Sequence, residues 1–249
     1  FKQAINIKRD FAEAHYNLGV TLHEIGEFNT SIKNYKRACE IKPDYIKAYL
    51  NMGRALKDAG DLDAAMDSYK KALKISPNHA YAYFNMGTVL QNKGELDAAI
   101  ESYTQAVQIN PEYAQAYYNM GVAQQDKGEL NAAMESYKLV TQIKPKHAEA
   151  YNNLGLLLHN KGELNAAMDT YKLAQKINPE YAGPYNNMGL LMYNKGEFES
   201  SISSYKQALK IKPNYAEVWN NIVFPLQATN RRRPLLQDWL PSLPDLANF

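Results

Sequence analysis

The chain has 249 residues, 45% of them hydrophobic and 22% charged, and its formal net charge is +2. These proportions leave enough apolar side chains for a continuous core, and the near-neutral charge excludes the electrostatic signature of a nucleic-acid or anionic-membrane binder. A single cysteine, Cys39, excludes an internal disulfide framework and favours a reducing, cytoplasmic location. No apolar run approaches the ~20 residues of a membrane span. The chain opens with neither Met nor a signal peptide, and we expect it to be a piece of a longer protein.

A step of 34 residues organises most of the chain. The step relates two series of glycines, one of prolines and one of tyrosines, with six members each: Gly19 through Gly189, Gly26 through Gly196, Pro43 through Pro213 and Tyr35 through Tyr205. A fixed period of this length is typical of helical repeat arrays, in which each unit buries its apolar side against its neighbours.

Each unit, numbered from Ala12 as position one, predicts two helices. In the third unit, apolar residues recur at helical spacing both before and after Gly94. Gly94 breaks the first helix, and Pro111 ends the second because proline cannot continue the hydrogen-bond ladder. Another glycine lies inside each first helix, where it costs about 1 kcal/mol relative to alanine. We expect it to admit a close approach of the paired helices, with Gly87 facing a small residue such as Ala99.

The spacing of these residues resembles that of the tetratricopeptide repeat family. In the fifth unit the family's aromatic, Leu-Gly, Ala, aromatic, Ala and Pro are Tyr151, Leu154, Gly155, Ala167, Tyr171, Ala174 and Pro179. The resemblance implies an all-α fold, a right-handed α-solenoid (superhelix) of 34-residue helix-turn-helix tetratricopeptide repeats. It says little about which partner is bound, because members of this family bind many unrelated proteins.

The predicted elements follow one another in chain order. Residues 1–11 are predicted to be the end of a preceding repeat's second helix, and residues 12–215 to be six tetratricopeptide repeats. Residues 216–228 are predicted to be a seventh first helix. Residues 229–249 change in composition, with three consecutive arginines followed by a stretch rich in Pro and Leu. This tail is open to three interpretations: a connector or artificial extension, a helix that caps the open end of the array, or a ligand-like segment.

Asparagine occupies the sixth position of every first helix. The row comprises Asn17, Asn51, Asn85, Asn119, Asn153, Asn187 and Asn221. Asparagine is a mediocre helix former, and its amide both donates and accepts hydrogen bonds, so the row is predicted to hold the backbone of an extended polypeptide. The row is similar to the asparagine ladder in the superhelical domain of O-linked N-acetylglucosamine transferases, and this resemblance implies a position in the concave groove. The alternative is that the asparagines bond neighbouring repeats or reflect recent duplication.

The fifth position changes character along the chain. It is Tyr16, Leu50, Phe84 and Tyr118 in the first four units and Asn152, Asn186 and Asn220 in the last three. Exposed aromatic clusters suit the anchoring of a partner's apolar side chains. The alternative is that these rings pack against adjacent helices. The charge of the predicted groove is mixed and selects neither an acidic nor a basic ligand.

The fourth unit departs from the pattern and is predicted to be the most loosely packed. Gln124 stands where the other complete units have Leu or Met, and it needs a partner if it is buried. Val140 and Thr141 also replace a small residue and an aliphatic residue in its second helix.

No residue pattern in the chain predicts catalysis, a cofactor or a metal. The histidines lack metal-ligand spacing, the acidic residues recur near helix starts, and no glycine loop suits a phosphate. We therefore predict a non-enzymatic scaffold whose partner is a protein or peptide, with no nucleic acid and no membrane. Two alternatives stay open: the substrate-presenting arm of a larger, glycosyltransferase-like enzyme, and a module that associates with copies of itself.

Overall fold

The computed structural model describes residues 11–229, which form thirteen α-helices and no strand. The helices are α1 Ala12–Glu24, α2 Phe28–Ile41, α3 Ile46–Asp58, α4 Leu62–Ile75, α5 Ala80–Asn92, α6 Leu96–Ile109, α7 Ala114–Asp126, α8 Leu130–Ile143, α9 Ala148–Asn160, α10 Leu164–Ile177, α11 Ala182–Asn194, α12 Phe198–Ile211 and α13 Ala216–Ala228. The predicted fold class, an all-α repeat solenoid of paired helices, is confirmed. The predicted helix end before residue 11 and the predicted tail beyond residue 229 lie outside the described residues.

The chain divides into two compact units, Phe1–Ser136 and Tyr137–Phe249, so the division falls inside α8. In the first unit α1 packs against α2, and α2 packs against α3, the first helix of the next repeat. The same alternation continues from α3 through α7. In the second unit it runs from α9 through α13. Within each unit, these second helices are therefore shared between their own repeat and the next, as in other repeat arrays.

A glycine in the left-handed region ends each first helix of the complete repeats. Gly60, for example, has a φ of +88°, a conformation that has no steric cost without a Cβ. The Gly60 amide donates to the carbonyl of Lys57 at 3.0 Å, and the Asp61 amide donates to that of Leu56 at 2.9 Å. These two bonds are the Schellman arrangement, and they satisfy carbonyls at the end of the helix. The turn that reverses the chain into the second helix is therefore encoded by one residue.

The core of each repeat contains a buried tyrosine, and in five repeats this tyrosine lies against the glycine inside the first helix. These rings are essentially inaccessible to solvent: Tyr35, Tyr69, Tyr103, Tyr137, Tyr171 and Tyr205. A Cβ added to Gly87 would lie 2.6 Å from Cε1 of Tyr103, so only glycine leaves room for the ring. The expected close approach is present, and the atoms nearest to the vacant Cβ position of Gly87 belong to the Tyr103 ring. The absent side chain makes space for an aromatic ring, which fills the gap between the paired helices.

Candidate functional site

The first helices lie closer together than the second helices within each unit. The contacts join α1 to α3, α3 to α5 and α5 to α7 in one unit, and α9 to α11 and α11 to α13 in the other. No comparable contact joins α2 to α4, α4 to α6 or α10 to α12, which are the pairs of consecutive second helices that lie within one described unit. Each unit therefore bends toward its first helices. We call the side chains at positions two, five, six, nine, twelve and thirteen of these helices the first-helix face.

In the first unit the asparagine row reaches back to the preceding repeat. Nδ2 of Asn51 donates a hydrogen bond of 3.0 Å to the hydroxyl of Tyr16, which precedes it by 35 residues. Burial raises the pKa of Tyr35, and hydrogen bonds from Ser31 and Asn51 oppose that rise. Asn51 thus contacts both the fifth-position residue and the core tyrosine of the repeat before it.

In the second unit the same relation joins amide to amide. Nδ2 of Asn187 donates to Oδ1 of Asn152 at 2.9 Å, and Nδ2 of Asn221 donates to Oδ1 of Asn186 at 3.2 Å. Asn186 is only 1% exposed, and its own Nδ2 donates to Oε1 of Glu217 at 3.0 Å. The structure therefore brings the fifth and sixth positions together at the seams between repeats, where the asparagines bond one repeat to the next.

Not every sixth-position asparagine makes the same bond. Asn85, which is buried, donates from Nδ2 to the carbonyl of Tyr81 in its own helix at 2.6 Å. Nδ2 of Asn153 donates to the hydroxyl of Tyr137 at 3.3 Å, and Oδ1 of Asn119 accepts from Gln115 at 3.0 Å. The described side chain of Asn17 is partly exposed at the start of the row.

Two core tyrosines consequently lack a partner for their hydroxyls. Neither the Tyr69 hydroxyl nor the Tyr171 hydroxyl has a hydrogen-bond partner, and burial raises the pKa of both. The asparagines sixteen residues after them are Asn85 and Asn187, and these donate elsewhere. The amide-to-tyrosine contact is therefore made at some seams and absent from others.

The fifth-position rings take part in the same seams. The Tyr16 ring lies 5.1 Å from that of Tyr45, centroid to centroid, with the planes inclined at 41°. The ring of Phe84 lies 5.0 Å from that of Tyr113. Leu50 is 6% exposed and belongs to a buried cluster in the next seam. The side chains of Tyr16, Phe84 and Tyr118 remain partly exposed.

Gln124 has the partner that its position requires. Its side chain is buried, and its Oε1 accepts a hydrogen bond of 2.7 Å from the hydroxyl of Ser136 in α8. Ser68 and Ser102, at the equivalent position, bond instead to carbonyls of their own helices. Where Gln124 replaces the usual Leu or Met, Ser136 therefore bonds to this glutamine and not to a carbonyl of its own helix.

Sequence reasoning missed a charged cluster on the first-helix face. Nη2 of Arg54 donates to Nδ1 of His23 at 2.9 Å, and Nε2 of His23 lies 2.8 Å from Oδ2 of Asp58. We call these three residues the Arg54 cluster. The signal for it in the sequence is that Arg54 is the one charged residue in the ninth-position row.

The other titratable side chains have structural surroundings. Nδ1 of His147 accepts from the Ala150 amide at 3.3 Å and so caps α9, and burial lowers its pKa. Burial also lowers the pKa of His159, and burial raises the pKa of the Cys39 thiol to about 11. Across residues 11–229 no three His, Cys, Asp or Glu residues are grouped so that they could hold a metal ion. None of the described helices is long and apolar enough to cross a membrane.

Several solved structures share this fold. MamA is 30% identical in sequence, with a TM-score of 0.61 over 65% of this chain and 94% of MamA. YrrB, a tetratricopeptide-repeat protein with an unusual peptide-binding site, is 22% identical, with a TM-score of 0.63 over 75% of this chain and 96% of YrrB. PilF of Pseudomonas aeruginosa is 19% identical, with a TM-score of 0.73 over 88% of this chain and 97% of PilF.

The family follows from a match that spans most of the sequence. No curated protein sequence is significantly similar to the chain. The family model of the cilia and flagella-associated protein 70 C-terminal domain, a tetratricopeptide-repeat domain, matches residues 2–217. These residues include all six complete repeats of the 34-residue step. The chain belongs to the tetratricopeptide-repeat family of the cilia and flagella-associated protein 70 C-terminal domain.

Proposed function

We propose that the chain is a protein-interaction scaffold that holds an extended polypeptide along the first-helix face. The observation that carries the proposal is the amide at the sixth position of every first helix, since the first helices are the ones that contact one another from repeat to repeat within each unit. YrrB, which has the same fold, carries a peptide-binding site, and this supports the view that such a face is suited to peptides. The chain's own residues supply the rest of the argument.

An asparagine can bond between repeats and still bind a ligand. A side-chain amide has two N–H donors and an oxygen with two lone pairs. The bond from Asn51 to Tyr16 and the bond from Asn187 to Asn152 each use one N–H. Each seam bond fixes the orientation of its amide, so binding would cost little side-chain entropy. The remaining N–H and the oxygen match the C=O and N–H of a peptide backbone, whatever its side chains.

The partly exposed rings add a preference for apolar side chains at one end of the face. Tyr16 and Phe84 are held by ring contacts to Tyr45 and Tyr113, so their exposed edges are preorganised. We propose Tyr16, Phe84 and Tyr118 as anchors. Leu50, which is buried, supports the seam behind them.

The test modifies the peptide rather than the protein. Truncating the asparagines would change stability and binding together, because these residues also bond between repeats. We would select binders from phage-displayed random dodecapeptides and measure the affinity of a synthetic winner by fluorescence anisotropy. N-methylation would then be placed at each peptide bond in turn. We expect losses of ~2- to 13-fold at several positions, since a neutral hydrogen bond is worth about 0.5–1.5 kcal/mol.

Controls separate backbone recognition from side-chain recognition. Alanine scanning of the same peptide should give smaller losses, except at residues that contact the rings. Phe84→Ala should change which peptide residue is sensitive and leave the N-methylation profile unchanged. An affinity that is indifferent to N-methylation at every position would overturn backbone recognition, and failure to select any peptide would overturn the scaffold itself.

A further inference from the structure

Arg54 is out of place in its row of the first-helix face. The other ninth-position residues are apolar or small: Val20, Thr88, Val122, Leu156, Leu190 and Phe224. The repeat pattern supplies no structural reason for a guanidinium in this row, and the Nε atom of Arg54 is buried. The partners of Arg54 therefore indicate what the charge is for.

The guanidinium of Arg54 is only half satisfied on one edge. Nε and Nη2 of an arginine share one edge, and their two N–H groups point the same way, at the spacing of the two oxygens of a carboxylate. Nη2 donates to Nδ1 of His23 at 2.9 Å, whereas Nε is buried and has no partner. The imidazole offers one acceptor to an edge that has two donors. A buried donor without an acceptor destabilises the fold, and more so when the group is charged.

The acidic residue of the Arg54 cluster, Asp58, has other partners. Since Nδ1 of His23 accepts from Arg54, the ring proton is on Nε2, which donates to Oδ2 of Asp58 at 2.8 Å. The other oxygen of Asp58 lies 3.5 Å from Nζ of Lys57. Asp58 thus bonds to His23 and lies near Lys57, and the Nε–H of Arg54 is left without an acceptor.

A second buried donor in the same repeat also lacks an acceptor. The hydroxyl of Tyr69 in α4 is fully buried and has no partner. Burial raises the pKa of Tyr69, the charges of Tyr81 and Asp58 add to that rise, and the charge of Arg54 opposes it.

We infer that Arg54 is a recognition subsite for an acidic side chain, Asp or Glu, of the bound polypeptide. The inference rests on the proposed function and names one chemical preference within it. The incoming carboxylate displaces Nδ1 of His23 and accepts from both Nε and Nη2 of Arg54. His23 keeps its bond to Asp58, so the ring moves aside without losing its second partner.

The first experiment is a nuclear magnetic resonance titration that requires no polypeptide. The probe is N-acetyl-glutamate α-amide, which has a side-chain carboxylate and no terminal one, and the matched control is N-acetyl-glutamine α-amide. The acid should shift the Arg54 Nε–H and His23 Nδ1 signals along one saturable curve, and the glutamine compound should not. In Arg54→Lys the His23 signal should no longer respond, whereas in Lys57→Gln it should respond as in the unaltered chain. A response of equal size to both compounds, or no saturable response to the acid, overturns the subsite.

The second experiment uses the selected dodecapeptides. Binders of the unaltered chain should carry Asp or Glu at one fixed position, and changing that residue to Gln should weaken binding at least ~10-fold. Arg54→Lys should weaken the binding of the acidic peptide by a similar factor and leave the affinity for the Gln peptide nearly unchanged. Peptides that bind without an acidic preference would overturn the subsite while the proposed function stands. If no peptide binds, the proposed function fails, and the titration still decides the subsite.

Discussion

Nδ2 of Asn187 lies 2.9 Å from Oδ1 of Asn152, in the first helix of the preceding repeat. The pair is separated by 35 residues, one more than the repeat, because a sixth-position residue meets a fifth-position residue. The same offset relates Asn221 to Asn186 and Asn51 to Tyr16. The asparagine row is therefore part of the seams, and any ligand-binding role is added to a structural one.

The first prediction concerns the amide seam of the second unit. Asn186→Ala should lower the free energy of unfolding by about 1–3 kcal/mol, because it leaves Nδ2 of Asn221 without its buried acceptor. Asn220 has the same position in the next repeat and is exposed. Asn220→Ala should stay within about 0.5 kcal/mol of the unaltered chain. Urea denaturation followed by circular dichroism measures both, and equal midpoints for the two variants would contradict the seam role.

The second prediction concerns the glycine that faces the core tyrosine. Gly87→Ala would place a Cβ 2.6 Å from Cε1 of Tyr103, whose hydroxyl is held by Gln91 at 2.8 Å. The displaced ring should cost about 1–3 kcal/mol through overpacking, against a helix-propensity gain of about 1 kcal/mol. Gly94→Ala meets no atom within 4 Å, and its cost of about 1–2 kcal/mol should come only from the positive φ of +78°. A Gly87→Ala variant as stable as the unaltered chain would mean that the ring yields freely.

The third prediction concerns the exception in the fourth repeat. Ser136→Ala leaves Oε1 of Gln124 buried without a donor and should cost about 1–3 kcal/mol. Ser102→Ala, which removes a bond of 2.9 Å within one helix, should cost less. Gln124→Leu should be close to neutral, because Ser136 can then bond to its own helix. Hydrogen exchange around Gln124 should be faster than around Leu90 if this repeat is the most loosely packed, and equal protection would refute that expectation.

The fourth prediction is a loss of stability in mild acid. Burial lowers the pKa of His147 and of His159 below 6.5, so the unfolded chain takes up these protons at pH values where the folded chain does not. Stability should be complete above pH ~6.5 and should fall as the pH drops through that value. His147→Tyr, which installs the residue found at the equivalent Tyr113, should make the fall shallower. The melting temperatures of both proteins between pH 7.5 and pH 5 measure this loss of stability. If the melting temperature of His147→Tyr depends on pH as steeply as that of the unaltered chain, His147 does not contribute.

Most of the fold could be predicted because the sequence repeats itself every 34 residues, so that each repeat can be compared with the others. Gly94 and Pro111 mark helix ends by backbone chemistry alone, and the structure ends α5 and α6 just before them. The contact between Gly87 and the Tyr103 ring could not be predicted in the same way. Helical spacing identifies the side of a helix that is buried, but it does not say which side chain of the facing helix lies nearest to the glycine.

The candidate site was predicted less completely, for a related reason. The row of asparagines is visible in the sequence, but its bonds depend on how closely one first helix approaches the next. Asn51 and Asn85 occupy the same position, yet one donates to a tyrosine of the preceding repeat and the other to its own backbone. The half-satisfied edge of Arg54 depends on the rotamer of a histidine 31 residues earlier, which no periodicity reveals.

The unpartnered hydroxyls of Tyr69 and Tyr171 should lower the resistance of two seams to a stretching force. The helices at these seams, α4 with α5 and α10 with α11, pack less extensively than α2 with α3 and α12 with α13. When the two helices of such a seam separate, water can bond to the unpartnered tyrosine hydroxyl. This hydration offsets part of the free energy that the separation costs. Under a stretching force we expect the chain to yield at these two seams first, in steps of whole repeats. Optical-tweezer extension would show it, and Tyr69→Phe should raise the force of one step without changing its length.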